Sequence, residues 1–394
     1  MRVAHINCLL SKNGRLGVEK KLAARAKAIS LLGLNMDIFY FNFGRQVQDK
    51  RVRFFERREG SLNRLFTLFR RYDCVAGHLD TDQYDLIILR YTGGDFSAFS
   101  KFFRDNGHKI ITEHQAMEFP EARTYQTTLP QKLTTLFMER FLGPRMIRRC
   151  AGLIGNCDEV RAYEIERIGV SIPSCTITDG VSVDDTPFSR TPPYTGRVLN
   201  LLCLATSFHP WQGLDRVLAG LKTYSRQEPV LSLKIVGEAA PEHLASAGHL
   251  KHNPCVTVDF LGRLFGPRLE EIFEKTHIAF SPLTMFRKRL KGGSALKTRE
   301  YVARGLPFVI GHCDPDLEGV GDFFLSVPPD DSPVNMSDVV RFAERILNRP
   351  SVSESMRQFA TAHLDWKIKM SKMWEFCDQV RRMGRVVPPA NLQR

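Results

Sequence analysis

The segment Lys291-Gly292-Gly293-Ser294-Ala295-Leu296-Lys297-Thr298-Arg299-Glu300 lies between two apolar runs, Ile278 to Pro282 and Phe308 to Ile310, and it decides how the chain is read. Arg287, Lys288 and Arg289 precede it, and Tyr301-Val-Ala-Arg-Gly305 closes a helix-compatible stretch after it. The order is strand, glycine-rich basic loop, helix, strand. A loop of this kind opening a helix can hold a phosphate, because unpaired backbone N–H groups and the helix dipole both favour an anion there. Glu300, one turn into that helix, is placed to accept hydrogen bonds from hydroxyl groups.

Outward from this unit the same alternation repeats. Short β-rich runs separated by helix-like segments occur at 3–7, 36–41, 86–90, 109–113, 153–156 and 176–178, then at 199–205, 231–236, 256–261, 278–282, 308–310 and 324–327. Two sets of about six strands predict an α/β protein with two doubly wound parallel sheets. The stretch Val183 to Arg197, with Pro187, Pro192, Pro193 and Gly196, has little periodicity and reads as the linker. The predicted domains are 1–185 and 186–364. The tail 365–394, in which Asp365-Trp-Lys-Ile-Lys-Met alternates cations with large apolar residues, either caps the second domain or returns to the first.

A length of 394 residues suits two or three domains, and 43% hydrophobic with 25% charged residues matches soluble proteins. No apolar run has the roughly 18 to 20 residues of a membrane span, and the N-terminus reads as a first strand rather than a signal peptide. Nine scattered cysteines without a Cys-x-x-Cys spacing argue for reduced thiols in the cytoplasm and against zinc or disulfides. A formal charge of +13 favours an anionic partner: a nucleotide, an anionic membrane surface or nucleic acid. The basic residues are not interleaved with a nucleic-acid reading module, which disfavours the last.

Gly14 and Gly17 fall between the first strand and a helix from about Val18 to Leu32, either as a turn that admits a substrate or as a plain connection. Nine basic residues against three acids lie between Arg45 and Arg71, with Leu62, Leu65, Phe66 and Phe69 on one helical face. Leu133, Leu136, Phe137 and Phe141, followed by Arg145, Arg148 and Arg149, repeat the pattern. Each stripe either packs on a sheet or lies on an anionic membrane. Glu113-His114 ends a strand, where α/β sheets place ligands, although a lone histidine also serves structure. Ser207-Phe-His-Pro-Trp-Gln212-Gly213 is the strand-to-helix turn that opens the second half.

Together these residues resemble the retaining glycosyltransferases of family 4, over nearly the whole chain. Leu16-Gly17-Val-Glu-Lys resembles that family's N-terminal glycine loop, and Ile177-Thr-Asp-Gly180-Val-Ser-Val-Asp its interdomain segment. Ile235-Val-Gly237-Glu and Phe260-Leu-Gly262-Arg263-Leu resemble loops near the nucleotide. Leu296-Lys-Thr-Arg-Glu300-Tyr-Val-Ala-Arg-Gly-Leu-Pro-Phe, with Trp211-Gln-Gly213, is similar to a bacterial branch found among polysaccharide-assembly enzymes. The resemblance implies the GT-B fold, two Rossmann-like domains facing a cleft, the first binding the acceptor and the second a nucleotide-diphospho-sugar. It implies sugar transfer to a glycan or lipid-linked acceptor with retention, without an obligatory metal or other cofactor. The leaving phosphate would help to deprotonate the acceptor.

In this reading Glu300 matches the second of two family glutamates and holds the ribose, while the first falls on Gly292. The family's diphosphate-binding arginine and lysine fall on Ser207 and Gln212. Charge must then come from Lys297 with Arg287 or Lys288, helped by backbone N–H groups of residues 294 to 297, or those cations are solvated. Gly292, Gly293, Ser294, Gly237 and Arg263 complete the expected donor side, and Gly17 and His114 the acceptor side, with His114 facing the reacting sugar as a catalytic residue beside Lys297 and Glu300. The three departures keep two alternatives open: a non-catalytic scaffold that binds nucleotide-sugar, and a nucleotide-sugar epimerase.

Overall fold

The computed structural model describes residues 1–8, 16–42, 52–56, 69–123, 128–189, 191–349 and 351–384. The contacts fall into two compact units, Met1–Thr178 with Trp366 onward, and Asp179–Asp365. The change of unit at Thr178 precedes the proline-rich stretch.

The first unit holds a parallel sheet of seven strands: β1 (Val3–Cys8), β2 (Met36–Asn42), β3 (Val52–Glu56), β4 (Leu86–Arg90), β5 (Ile110–His114), β6 (Gly152–Gly155) and β7 (Ser174–Thr176), in the order β3-β2-β1-β4-β5-β6-β7. β1, β4, β5 and β6 are buried throughout, as expected of strands covered on both faces. β3 is the strand that the sequence reading lacks, because it lies inside the basic stretch 45–71. As an edge strand it buries Val52 while Arg53 stays exposed, and Phe55 stacks on Phe41 of β2 at 4.8 Å. Its one-sided burial among charges hides it from a search for apolar runs. β6 and β7 also begin earlier than the runs at 153 and 176 suggest. The stripe residues Leu62, Leu65 and Phe66, and Gly14, lie outside the described residues.

The helix Trp366–Met383 belongs to this unit and packs on the helix Leu16–Leu31. Trp366 lies 4.8 Å from the Arg25 guanidinium, whose charge is balanced by Glu113 at 2.7 Å.

The second unit holds β8 (Val198–Ser207), β9 (Val230–Glu238), β10 (Val256–Gly262), β11 (Ile278–Phe280), β12 (Phe308–Ile310) and β13 (Phe324–Ser326), all parallel, in the order β10-β9-β8-β11-β12-β13. Strand order reverses beside β8, so the crevice at its carboxyl end is where such a sheet takes ligands. Gly213 starts the helix after β8 with φ of 77°, and a Cβ there would sit 2.7 Å from Leu283. Gly237 has φ of 131°, and a Cβ would stand 1.9 Å from the Ala205 carbonyl. Both positions therefore require glycine: Gly237 lets the ends of β8 and β9 lie close together, and Gly213 lets the turn after β8 lie against the chain leaving β11.

Candidate active site

The loop after β11 runs through a short 3-10 turn, Met285–Lys288, and the glycine pair to the helix Leu296–Arg304. Gly292 bridges to Cys313, and the Gly293 N–H donates to the Cys313 carbonyl at 3.0 Å, so the loop is tied to the chain leaving β12. A Cβ on Gly293 would meet the Met285 methyl at 2.6 Å. The Ser294 hydroxyl accepts from the Asp179 N–H at 2.7 Å and anchors the loop rather than remaining open to a ligand.

The helix starts at Ala295 without a side-chain cap. Among the described residues, no acceptor meets the backbone N–H groups of Ser294, Ala295, Leu296 or Lys297. These are the orphan donors of a helix N-terminus. Lys297 leaves the same turn toward β8. Its ammonium donates to the Leu204 carbonyl at 2.8 Å and to the Gln212 side-chain oxygen. No carboxylate pairs with it among the described residues, and burial lowers its pKa to about 8. An amine held this way gains from an arriving anion.

Arg263 follows β10, pairs with Glu238 at 2.7 Å and reaches the Thr206 carbonyl at 3.3 Å. Glu238 also accepts from Ser207 at 3.0 Å. Ser207, Glu238, Arg263, Gln212 and Lys297 thus gather at the carboxyl ends of β8, β9 and β10. Glu300 is half-buried on the next turn, where its Oε1 accepts from Arg304 at 3.0 Å. Arg304 is held in turn by Glu270 at 2.6 Å and lies 3.8 Å from the Phe273 ring centre.

The flanking cations are otherwise engaged. Arg287 pairs with Asp215 at 2.7 Å and Asp331 at 2.6 Å, and it donates to the Pro210 carbonyl. Lys288 sits 5.3 Å from the Trp211 ring centre. These contacts tie the 3-10 turn to the turn after β8.

Arg299, which the sequence reading did not single out, is buried. It donates to Asp314 and Asp316 and to the Asp179 carbonyl, fixing the helix start against the loop after β12. Replacing it with leucine leaves buried Asp314 without its partner and should destabilise the protein by about 3–5 kcal/mol in urea denaturation.

In the first unit, Gly17 lies in the first turn of the helix after β1, and His114 ends β5, fully buried. His114 Nδ1 is 3.4 Å from Glu118 and 3.8 Å from Glu164, and its ring is 4.6 Å from Tyr91. Burial lowers its pKa to about 4, so the imidazole is neutral. Burial also raises Glu164 to about 7 and Glu118 well above its usual range, while Arg167 ties Glu164 to Glu139. His114, Glu118 and Glu164 bring ligand atoms within 4.8 Å of one another, a cation-site spacing where the sequence reading had no metal. Arg167, paired with Glu139 and Glu164, already offsets carboxylate charge there.

No protein-family model matches the sequence, and no curated protein matches it significantly. Solved structures do resemble it. A glycosyltransferase from Rickettsia africae superposes with a TM-score of 0.65 at 14% identity, over 96% of this chain and 98% of that one. Anabaena HepE in complex with UDP and glucose gives 0.62 at 13% identity, over 96% and 100%. The lipopolysaccharide outer core galactosyltransferase WaaB gives 0.59 at 12% identity, over 95% and 99%. The chain therefore has the GT-B fold, two Rossmann-like domains as found in glycosyltransferases.

Proposed function

We propose that the protein is a retaining glycosyltransferase that moves a sugar from a nucleotide-diphospho-sugar to a glycan or lipid-linked acceptor in surface-polysaccharide assembly. The observation that carries this reading is the uncapped helix start at Ala295, with four N–H groups unmatched among the described residues, beside the Lys297 ammonium at the carboxyl end of β8. A departing diphosphate gains negative charge in the transition state, and preorganised donors and a cation stabilise it without reorganising. Glu300, oriented by Arg304, would take the ribose hydroxyls. Arg263 stands at the same strand ends and would supply a second cation if a diphosphate displaced Glu238.

The donor side of this proposal departs from the sequence reading in one respect. With Arg287 held by two aspartates, Arg287→Ala should lower transfer by less than about tenfold in steady-state kinetics, far less than loss of Lys297. On the acceptor side His114, buried and neutral, is assigned a positioning role. WaaB and HepE, a lipopolysaccharide galactosyltransferase and a protein that binds UDP and glucose, support the choice of polysaccharide and nucleotide-sugar.

A panel of UDP- and GDP-sugars tests the reading. One donor should raise the melting temperature and be turned over with a glycan or lipid extract. Gly292, with no side chain where a family glutamate stands, favours one rival, a nucleotide-sugar-binding scaffold. Donor binding with no turnover on any extract would support that rival. Release of an altered free sugar without acceptor would indicate an epimerase.

A further inference from the structure

The helix Leu129–Ile147 buries Met138, Leu142, Met146 and Ile147 in the first core, yet its other face carries large apolar side chains in the open. Leu129 is 68% exposed, Leu133 57%, Phe137 57% and Phe141 58%. Their spacing of four residues makes one continuous ridge along the helix. Phe137 and Phe141 stack on each other at 5.0 Å. Beside the ridge, the turn Phe96–Phe99 exposes Phe96 by 40% and Phe99 by 50%, and Arg145 reaches across to within 5.5 Å of the Phe99 ring centre. Six large apolar side chains on one patch exceed the scattered surface hydrophobics that need no explanation.

The exposed charge of the helix itself is of one sign. The only acid of the helix, Glu139, is buried against Arg167, so its exposed charges are Arg140 and Arg145, with half-buried Lys132 beside them and Arg149 exposed just beyond the end. The turn Phe96–Phe99 leads into Lys101 and into Arg104, which pairs with Asp105 at 3.3 Å. No described helix is long and apolar enough to cross a membrane.

We infer that this face docks on the surface of an anionic lipid bilayer, the aromatic and leucine side chains entering the acyl boundary while the arginines meet lipid phosphates. An apolar ridge on a helix whose exposed charges are all cations has the form of an interfacial helix. A protein partner or a second copy would need acidic groups opposite Arg140 and Arg145, whereas an anionic bilayer supplies them at every lateral position. The surface deepens the proposed function by bringing the protein to lipid-linked acceptors, but it acts without donor or transfer.

Vesicle co-sedimentation of the full chain tests it, with no sugar nucleotide present. The protein should bind vesicles of phosphatidylcholine with 40% phosphatidylglycerol and bind pure phosphatidylcholine at least about tenfold more weakly. Phe137→Glu with Phe141→Glu should lower binding to the anionic vesicles by about tenfold or more, at an unchanged melting temperature. Arg140→Glu with Arg145→Glu, which leaves the apolar ridge intact, should do the same at low salt and lose its effect at high salt. The inference falls if the wild-type chain does not bind anionic vesicles, or if both double variants bind as it does. It also falls if the chain is a dimer without lipid that Phe137→Glu with Phe141→Glu makes monomeric. Failure of sugar transfer would leave the vesicle result intact.

Discussion

Lys297→Met is expected to lower sugar transfer by about 100- to 1,000-fold, the range for removing a preorganised stabiliser of transition-state charge. It should also leave the protein more stable. The native ammonium is half-buried with no carboxylate paired to it among the described residues, and its pKa falls from 10.5 to about 8. Between those values the unfolded chain binds a proton that the native chain does not, so this lysine makes stability rise with pH across that window. Below about pH 8 both states are protonated, and the native state bears the full cost of holding the charge. The methionine variant should therefore gain on the order of 1–3 kcal/mol at pH 7 and nothing near pH 10.5. Urea denaturation at the two pH values reads this gain. Wild-type transfer should fall as pH rises through about 8, as Lys297 loses its proton. Lys297→Arg should remove that fall if it retains activity, since guanidinium stays charged. A purely structural lysine would show neither the rate loss nor the pH limb.

Glu300→Ala should weaken donor binding by about 10- to 100-fold, the expected loss of charged hydrogen bonds to hydroxyls. Its effect on stability should stay within about 1 kcal/mol. Arg304 keeps both oxygens of Glu270 and its contact with Phe273, so it is not stranded when the Glu300 carboxylate goes. Calorimetry with the active nucleotide-sugar measures the first effect and denaturation the second. A variant that lost stability but bound the donor normally would make Glu300 only a partner for Arg304.

The alternation of apolar runs and helices was enough to give two parallel sheets, because strands such as β4 and β12 are continuous apolar runs buried on both faces. β3 escaped because an edge strand with charges at its ends lacks that signature. In the candidate site, the glycine-led helix that carries Lys297 and Glu300 was legible in the sequence, and the structure has it at Leu296–Arg304. The engagement of Arg287 was not legible. Asp215 and Asp331 are far from it in sequence, and only the fold brings them together. The same holds for Arg299 with Asp314 and Asp316, and for Glu164 beside His114. Arg304, four residues after Glu300, was within reach of the helical i,i+4 rule. On the helix Leu129–Ile147 the stripe was visible but its environment was not, since periodicity alone cannot say whether an apolar face meets a sheet or solvent.

The most direct test of the donor site is calorimetric titration of UDP and GDP into the wild-type chain and Lys297→Met at pH 7. We expect one nucleotide to bind the wild type and to bind the variant at least about tenfold more weakly. Binding of neither nucleotide to the wild type, or equal affinity in both proteins, would contradict a diphosphate site at the start of the helix Leu296–Arg304.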